Sequence, residues 1–155
     1  MSRQGALEDE RGFTLTELLI TIVIMGIVFA IASSSWFGAI ESRRVDSATN
    51  QLVADLRLAH TQAKNRLTDT SFIVPSADSS TYQIGPPADL KTRTLPGDDQ
   101  GTPKTKILAA TTITFHSDGS AEIDPAGDIT VAAIDGDPLH TIEINPVTSR
   151  IEIVT

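Results

Sequence analysis

The chain has 155 residues, 40% of them hydrophobic, a formal net charge of −8 and no cysteine. This length leaves room for one modest domain beside an apolar anchor, and the lack of cysteine excludes disulfides and thiolate metal sites, so packing alone must hold the fold. Charge is unevenly spread: residues 37–66 carry five bases against three acids and residues 67–155 five against thirteen, an acidic surface that keeps an exposed domain soluble and opposes phosphate binding.

Residues 1–12 are a short polar leader, with Arg3 and Arg11 against Glu8, Asp9 and Glu10, and are excluded from the fold. Residues 13–32 are then apolar apart from one acid, and as a helix they reach about 30 Å, the thickness of a bilayer core. The acid is Glu17. A carboxylate at mid-membrane costs roughly 2.5–3.5 kcal/mol, which marks the residue as a functional site in need of a partner. Gly26 and Ala30 form a small-xxx-small pair that lets helices approach closely in lipid, an expected assembly contact. Trp36 follows the run, where an indole suits either the membrane interface or packing against a domain. An ordinary signal peptide competes with this reading, because Ala30-Ile31-Ala32 precedes Ser33 as a small-residue cleavage site. Against it stand the length of the run, beyond the roughly 7–15 residues of a signal core, and Glu17 within it. Orientation is not decided by flanking charge, since Arg3 and Arg11 face Arg43 and Arg44.

Helical spacing continues in Val45, Ala48, Leu52, Leu56, Ala59 and Ala63, at steps of three or four. Polar residues between them, Asp46, Asn50, Asp55, Arg57 and Lys64 included, read as a solvated face. One helix is therefore expected over 13–66, about 80 Å long, its half 13–35 for bilayer or filament core and its half 36–66 for a domain. After Leu67 the period becomes two. Strands are expected at 71–74, 81–84, 112–115, 121–123, 128–134, 139–144 and 150–154, with turns at Ser117-Asp118-Gly119, Pro125-Ala126-Gly127 and Asp135-Gly136-Asp137-Pro138. Residues 85–103, rich in glycine and proline, read as a surface loop. The fold class is α+β, the amphipathic half-helix covering an antiparallel, β-rich domain over 67–155.

Catalysis finds no support. His60, His116 and His140 lack metal-ligand spacing, and there is no nucleophile elbow, phosphate-binding glycine loop or Cys/His pair. Asp98-Asp99 and Asp135-Gly136-Asp137 carry oxygen ligands without the graded spacing of a calcium loop and read as turns. No enzyme, metal or cofactor is expected.

The window Gly12-Phe13-Thr14-Leu15 followed by Glu17-Leu18-Leu19 resembles the processing signal of type IV pilins and type II secretion pseudopilins. Thr16 stands where that class usually has an aliphatic residue, and Ala32-Ser33-Ser34-Ser35 replaces its usual proline. The resemblance implies a pilin-like fold, cleavage between Gly12 and Phe13 by a prepilin peptidase, methylation of the Phe13 amine, and a Glu17 that meets this amine on a neighbouring subunit. It also implies a single-pass protein of the bacterial inner membrane with its domain outside the cytoplasm, later part of a pilus or pseudopilus. Its partners would be other pilin or pseudopilin subunits, the inner-membrane assembly machinery, and membrane lipid before assembly. Further along, residues 50–60 with Ala63, Ile113-Thr114-Phe115 before Asp118-Gly119-Ser120, and Thr148-Ser149-Arg150-Ile151 look like the GspH/FimT-type minor pseudopilins, where glycine often replaces Ser149. A minor pilin or pseudopilin is the expected function. The rival is a DNA- or surface-binding minor pilin at a pilus tip, which the acidic domain argues against unless Lys91, Arg93, Lys104 and Lys106 gather into one patch.

Overall fold

The computed structural model describes residues 13–98, 100–137 and 139–154, apart from the side chains of residues 34, 35 and 37. The leader with Gly12, Asp99 of the Asp98-Asp99 pair and Pro138 of the last expected turn lie outside the described residues. The chain divides into two compact units, Met1–Gly38 and Ala39–Thr155.

A single helix, α1 (Leu15–Arg66), runs unbroken through the serine run that replaces a proline. It stops by a Schellman-type closure: the amide of Thr68 donates to the Ala63 carbonyl at 3.3 Å while Leu67 takes φ 52°, a left-handed conformation that usually calls for glycine. Lys64 and Arg66 sit in the last turn, where cations favour the negative end of the helix dipole.

Nine strands follow: β1 (Thr70–Val74), β2 (Thr81–Gly85), β3 (Lys91–Thr94), β4 (Thr105–Ile107), β5 (Thr111–Phe115), β6 (Ala121–Asp124), β7 (Ile129–Ala133), β8 (Leu139–Ile144) and β9 (Ile151–Val154). They make two antiparallel sheets, one ordered β3-β2-β1-β5-β6 and the other β4-β7-β8-β9. Ile107 of β4 bridges to Ser79, its amide donating to the Ser79 carbonyl at 2.8 Å, and so ties the second sheet to the chain entering β2. The fold is the expected α+β arrangement of a long N-terminal helix with antiparallel sheet.

All six positions of the helical stripe are fully buried, as are Phe72, Tyr82, Ile113, Phe115, Val131 and Ile142 from the strands, and they form one core. Burial of Leu52 or Leu56 contributes roughly 1.5–3 kcal/mol over an exposed side chain. Ala48, Ala59 and Ala63 share this core with the aromatic rings of β1, β2 and β5; the Phe72 and Tyr82 rings lie with centroids 5.0 Å apart, tilted by 31°.

Two expectations need correction. Residues 85–103 are not one loop, because Lys91–Thr94 pairs along β2 in the register Thr81↔Thr94 to Ile84↔Lys91. That strand has no apolar residue and all four positions are exposed, so it carries no hydrophobic period; as the sheet's outermost strand it is held by backbone pairing to β2. The short β4 was missed for a similar reason, having only three residues to show a period. The second correction concerns Asp55, expected among solvated polar residues but only 5% exposed. It lies three residues after Leu52 and four before Ala59, hence on the edge of the buried stripe.

Candidate processing and assembly site

Of the residues expected to carry function, Phe13 and Glu17 stand where α1 begins, Gly26 and Ala30 lie further along it, and Gly12 lies outside the described residues. Thr14 is the N-cap: its Oγ1 accepts the Glu17 amide at 3.2 Å, and its carbonyl accepts the Leu18 amide at 3.1 Å. Glu17 is then the third helical residue, which makes Thr14-x-x-Glu17 a capping-box sequence. That signal was present in the sequence and overlooked there. It gives Glu17 a local reason for its position, since an acid in the first turn also favours the positive end of the helix dipole. The carboxylate nevertheless remains exposed, as does Phe13 at 82%.

Phe13 precedes the N-cap and Glu17 lies in the first turn, both at the N-terminal end of a long apolar helix. The most apolar 18-residue window of this helix has mean hydropathy 2.5 and is 0% buried, with Leu18, Ile22, Met25 and Phe29 among the exposed side chains. By length and composition the segment can cross a membrane once. Gly26 and Ala30 lie on one face, one turn apart, and a Cβ built on Gly26 would meet nothing within 4 Å. The surface there is open to another helix. Trp36 is 70% exposed. Thr21 and Ser33 return their hydroxyls to the carbonyls of Glu17 (2.6 Å) and Ala30 (3.0 Å), so polar side chains in the apolar segment are satisfied within the helix.

In the globular unit, charged and polar residues make internal bonds. The buried Asp55 carboxylate accepts the Tyr82 hydroxyl and, at 3.1 Å, Nη1 of Arg93; Gln51 Nε2 donates to the Tyr82 oxygen at 2.9 Å and to the Thr94 carbonyl at 3.2 Å. Helix, β2 and β3 are joined by this network. Burial, and then the bond to Asp55, push the Tyr82 phenol well above its ordinary range. Sequence patterning had no signal for it beyond the lone tyrosine of the chain.

Three of the four bases that could have made a patch are paired with acids of the same chain. Arg93 belongs to Asp55, Lys104 lies 3.5 Å from Asp98 and Lys106 3.1 Å from Asp78, leaving Lys91 without an ion pair among the described residues. Asp98 accepts the amides of Thr102 and Gln100, each at 3.0 Å, and these bonds, the Thr102 amide first, hold its carboxyl below the usual range. Asp118 does the same for Ser120, whose hydroxyl bond is the main cause of a likewise lowered carboxyl. Both acids are turn formers. The histidines are dispersed: His60 tilts against Phe115 at 5.6 Å, His116 Nδ1 lies 3.1 Å from Asp69, and His140 Nε2 lies 2.7 Å from Asp46. Among the described residues no three His, Asp or Glu side chains are placed to share an ion.

Ser149, where the resembled subgroup often has glycine, adopts φ 52° and is buried. The left-handed backbone explains the glycine preference, and Ser149 Oγ donates to the Gly119 carbonyl at 2.7 Å, a bond glycine cannot make.

No curated protein and no solved structure matches the chain. Two family profiles do: the prokaryotic N-terminal methylation motif over residues 9–33, which spans the expected cleavage point and Glu17, and the type II transport protein GspH over residues 48–148, from the amphipathic half of α1 to the turn before β9. With the second profile covering most of the chain, and a long N-terminal helix carried on antiparallel sheets, the chain belongs to the GspH family of pilin-like structural subunits.

Proposed function

We propose that the chain is a minor subunit of a type II secretion pseudopilus or type IV pilus, cut by prepilin peptidase between Gly12 and Phe13 and methylated on the Phe13 amine. Before assembly the apolar half of α1 anchors it in the inner membrane, with the globular unit outside the cytoplasm. Extraction then transfers that half from lipid into a bundle of like helices, where Gly26 and Ala30 form a close contact.

The observation that carries this reading is the exposed Glu17 carboxylate at the head of a helix whose apolar window buries nothing of its own. A charge there is tolerable in a low-dielectric surrounding when an ammonium meets it, and the amine of Phe13 on an adjacent subunit supplies one. Pairing of this kind sets axial register between subunits. Capture of DNA has less support, because three of the four bases available for a patch are already neutralised by carboxylates of the same chain. Intact-mass measurement of the protein purified from membranes tests the processing step. The expected mass is that of a chain starting at Phe13 with one added methyl group; a start at Ser33 would transfer the segment to signal peptidase and end the pilin reading.

A further inference from the structure

The globular unit has a cleft of about 130 Å³ between the last turns of α1 and the outer strand of the five-stranded sheet. Its placement follows from register. Lys91 and Arg93 of β3 lie opposite Ile84 and Tyr82 of β2, so all four side chains share the buried face of the sheet, but β3 is outermost and its residues are exposed. Gln62 and Arg66, one helical turn apart, line the facing wall. The end of the cleft is closed by the turn after β2, where a Cβ on Gly85 would lie 2.3 Å from the Asp89 carbonyl oxygen; only glycine lets the two strands of backbone approach so closely.

We propose that this cleft is a docking site for an acidic peptide segment of another protein, seated by a carboxylate side chain between Lys91 and Arg66. Charge is the first argument. Among the described residues Lys91 is the one base beyond Leu67 without an ion pair, since Arg93, Lys104, Lys106 and Arg150 are held by Asp55, Asp98, Asp78 and Glu152. It lines the cleft together with Arg66, which also has no ion pair among the described residues, so the lining sets three bases, Arg66, Lys91 and Arg93, against the single acid Asp89. Arg93 gives only one Nη to Asp55 and retains other N–H donors of its fork. Size is the second. A volume of this order takes one side chain and is well below the roughly 300–1,000 Å³ of sites for small organic ligands. The third is the apolar floor: Leu58, 42% exposed, and Ile84 offer contact to an aliphatic neighbour of the incoming carboxylate. Asp89 on the rim and the negative end of the α1 dipole oppose any anion, so the affinity for a short peptide is modest. All of its lining belongs to the globular unit and none to the unit that holds Phe13 and Glu17, so its existence does not depend on how the N-terminus is processed or paired.

The test is a titration of the isotope-labelled full chain in neutral detergent with a blocked Gly-Leu-Glu-Leu-Gly peptide, its Gln counterpart, and inorganic phosphate, read as amide chemical shifts. The Glu peptide should shift Gln62, Gly85 and Lys91 saturably, and the Gln peptide should not. Lys91→Gln or Arg66→Gln, both at exposed positions outside the core, should weaken binding about tenfold, as expected for losing one charge-assisted hydrogen bond. Equal shifts from both peptides, no shift from the Glu peptide, or undiminished binding by the two variants would overturn the proposal. Phosphate shifting these amides where the peptide does not would make the cleft a small-anion site and likewise overturn it.

Discussion

The two halves of α1 have the same backbone hydrogen bonding and opposite relations to their surroundings. From Leu18 to Ile31 large apolar side chains stand more than half exposed, whereas from Val45 to Ala63 the stripe residues are at 0% and belong to a core. The first half therefore depends on lipid or other subunits for its burial, while the second obtains it from strands of its own chain. Polar groups divide in the same way. Glu17 has no side-chain partner within the described residues, and Asp55, thirty-eight positions later on the same helix, has two. An acid without an internal partner at the head of an exposed apolar helix is available for the proposed pairing between subunits; an acid satisfied by Tyr82 and Arg93 serves the fold.

Substitutions at these acids should separate the halves most sharply. Glu17→Gln keeps a residue suited to the capping box and removes only the charge. It should leave membrane insertion and the globular fold intact and reduce incorporation into filaments by at least about tenfold, the equivalent of 1.4 kcal/mol for a desolvated charge pair. Immunoblotting of sheared filaments reads this, and wild-type incorporation would remove the pairing role of Glu17. Asp55→Ala should do the reverse, lowering the stability of the globular unit by about 2–4 kcal/mol because the buried Tyr82 hydroxyl loses its acceptor and Arg93 its partner. Denaturant unfolding monitored by near-ultraviolet circular dichroism measures it, and a change below 0.5 kcal/mol would show the network to be incidental.

A smaller effect belongs to pH. Since folding raises the Tyr82 phenol above its ordinary value near 10, the stability tied to it is fully present below pH ~10 and is lost as pH rises toward the higher folded value. Thermal midpoints should therefore fall from about pH 10 upward, and Tyr82→Phe should flatten that fall, while Glu17→Gln should leave it unchanged. Smallest is the helix stop. Leu67 is 78% exposed with φ 52°, so Leu67→Gly removes backbone strain without removing packing and should stabilise the globular unit by about 0.5–1 kcal/mol, an increase in thermal midpoint of a few degrees. A decrease would mean that the leucine packs more than its exposure indicates.

Long-period signals were legible in the sequence because they repeat. A run of twenty positions, sixteen of them apolar and one an acid, defines the membrane or filament half, and six stripe residues at helical spacing define the core face, whatever packs on them. Seven of the strands showed their period of two because one face of each meets a core. The motif around Gly12, Phe13 and Glu17 is local, and local order in the chain is sufficient to read it.

Tertiary structure alone decided what is joined across distance. The Lys91–Thr94 strand is held by pairing to β2 and has no apolar face to announce it. Asp55 is buried because Tyr82 and Arg93, 27 and 38 residues away, converge on it, and no local pattern encodes such a meeting. The bases of residues 91–106 look like a patch in sequence, but acids brought up by the fold, Asp55, Asp98 and Asp78, pair with three of them. Periodicity records which face of an element avoids water; which polar partners make that burial tolerable is set by the packing of elements far apart in the chain.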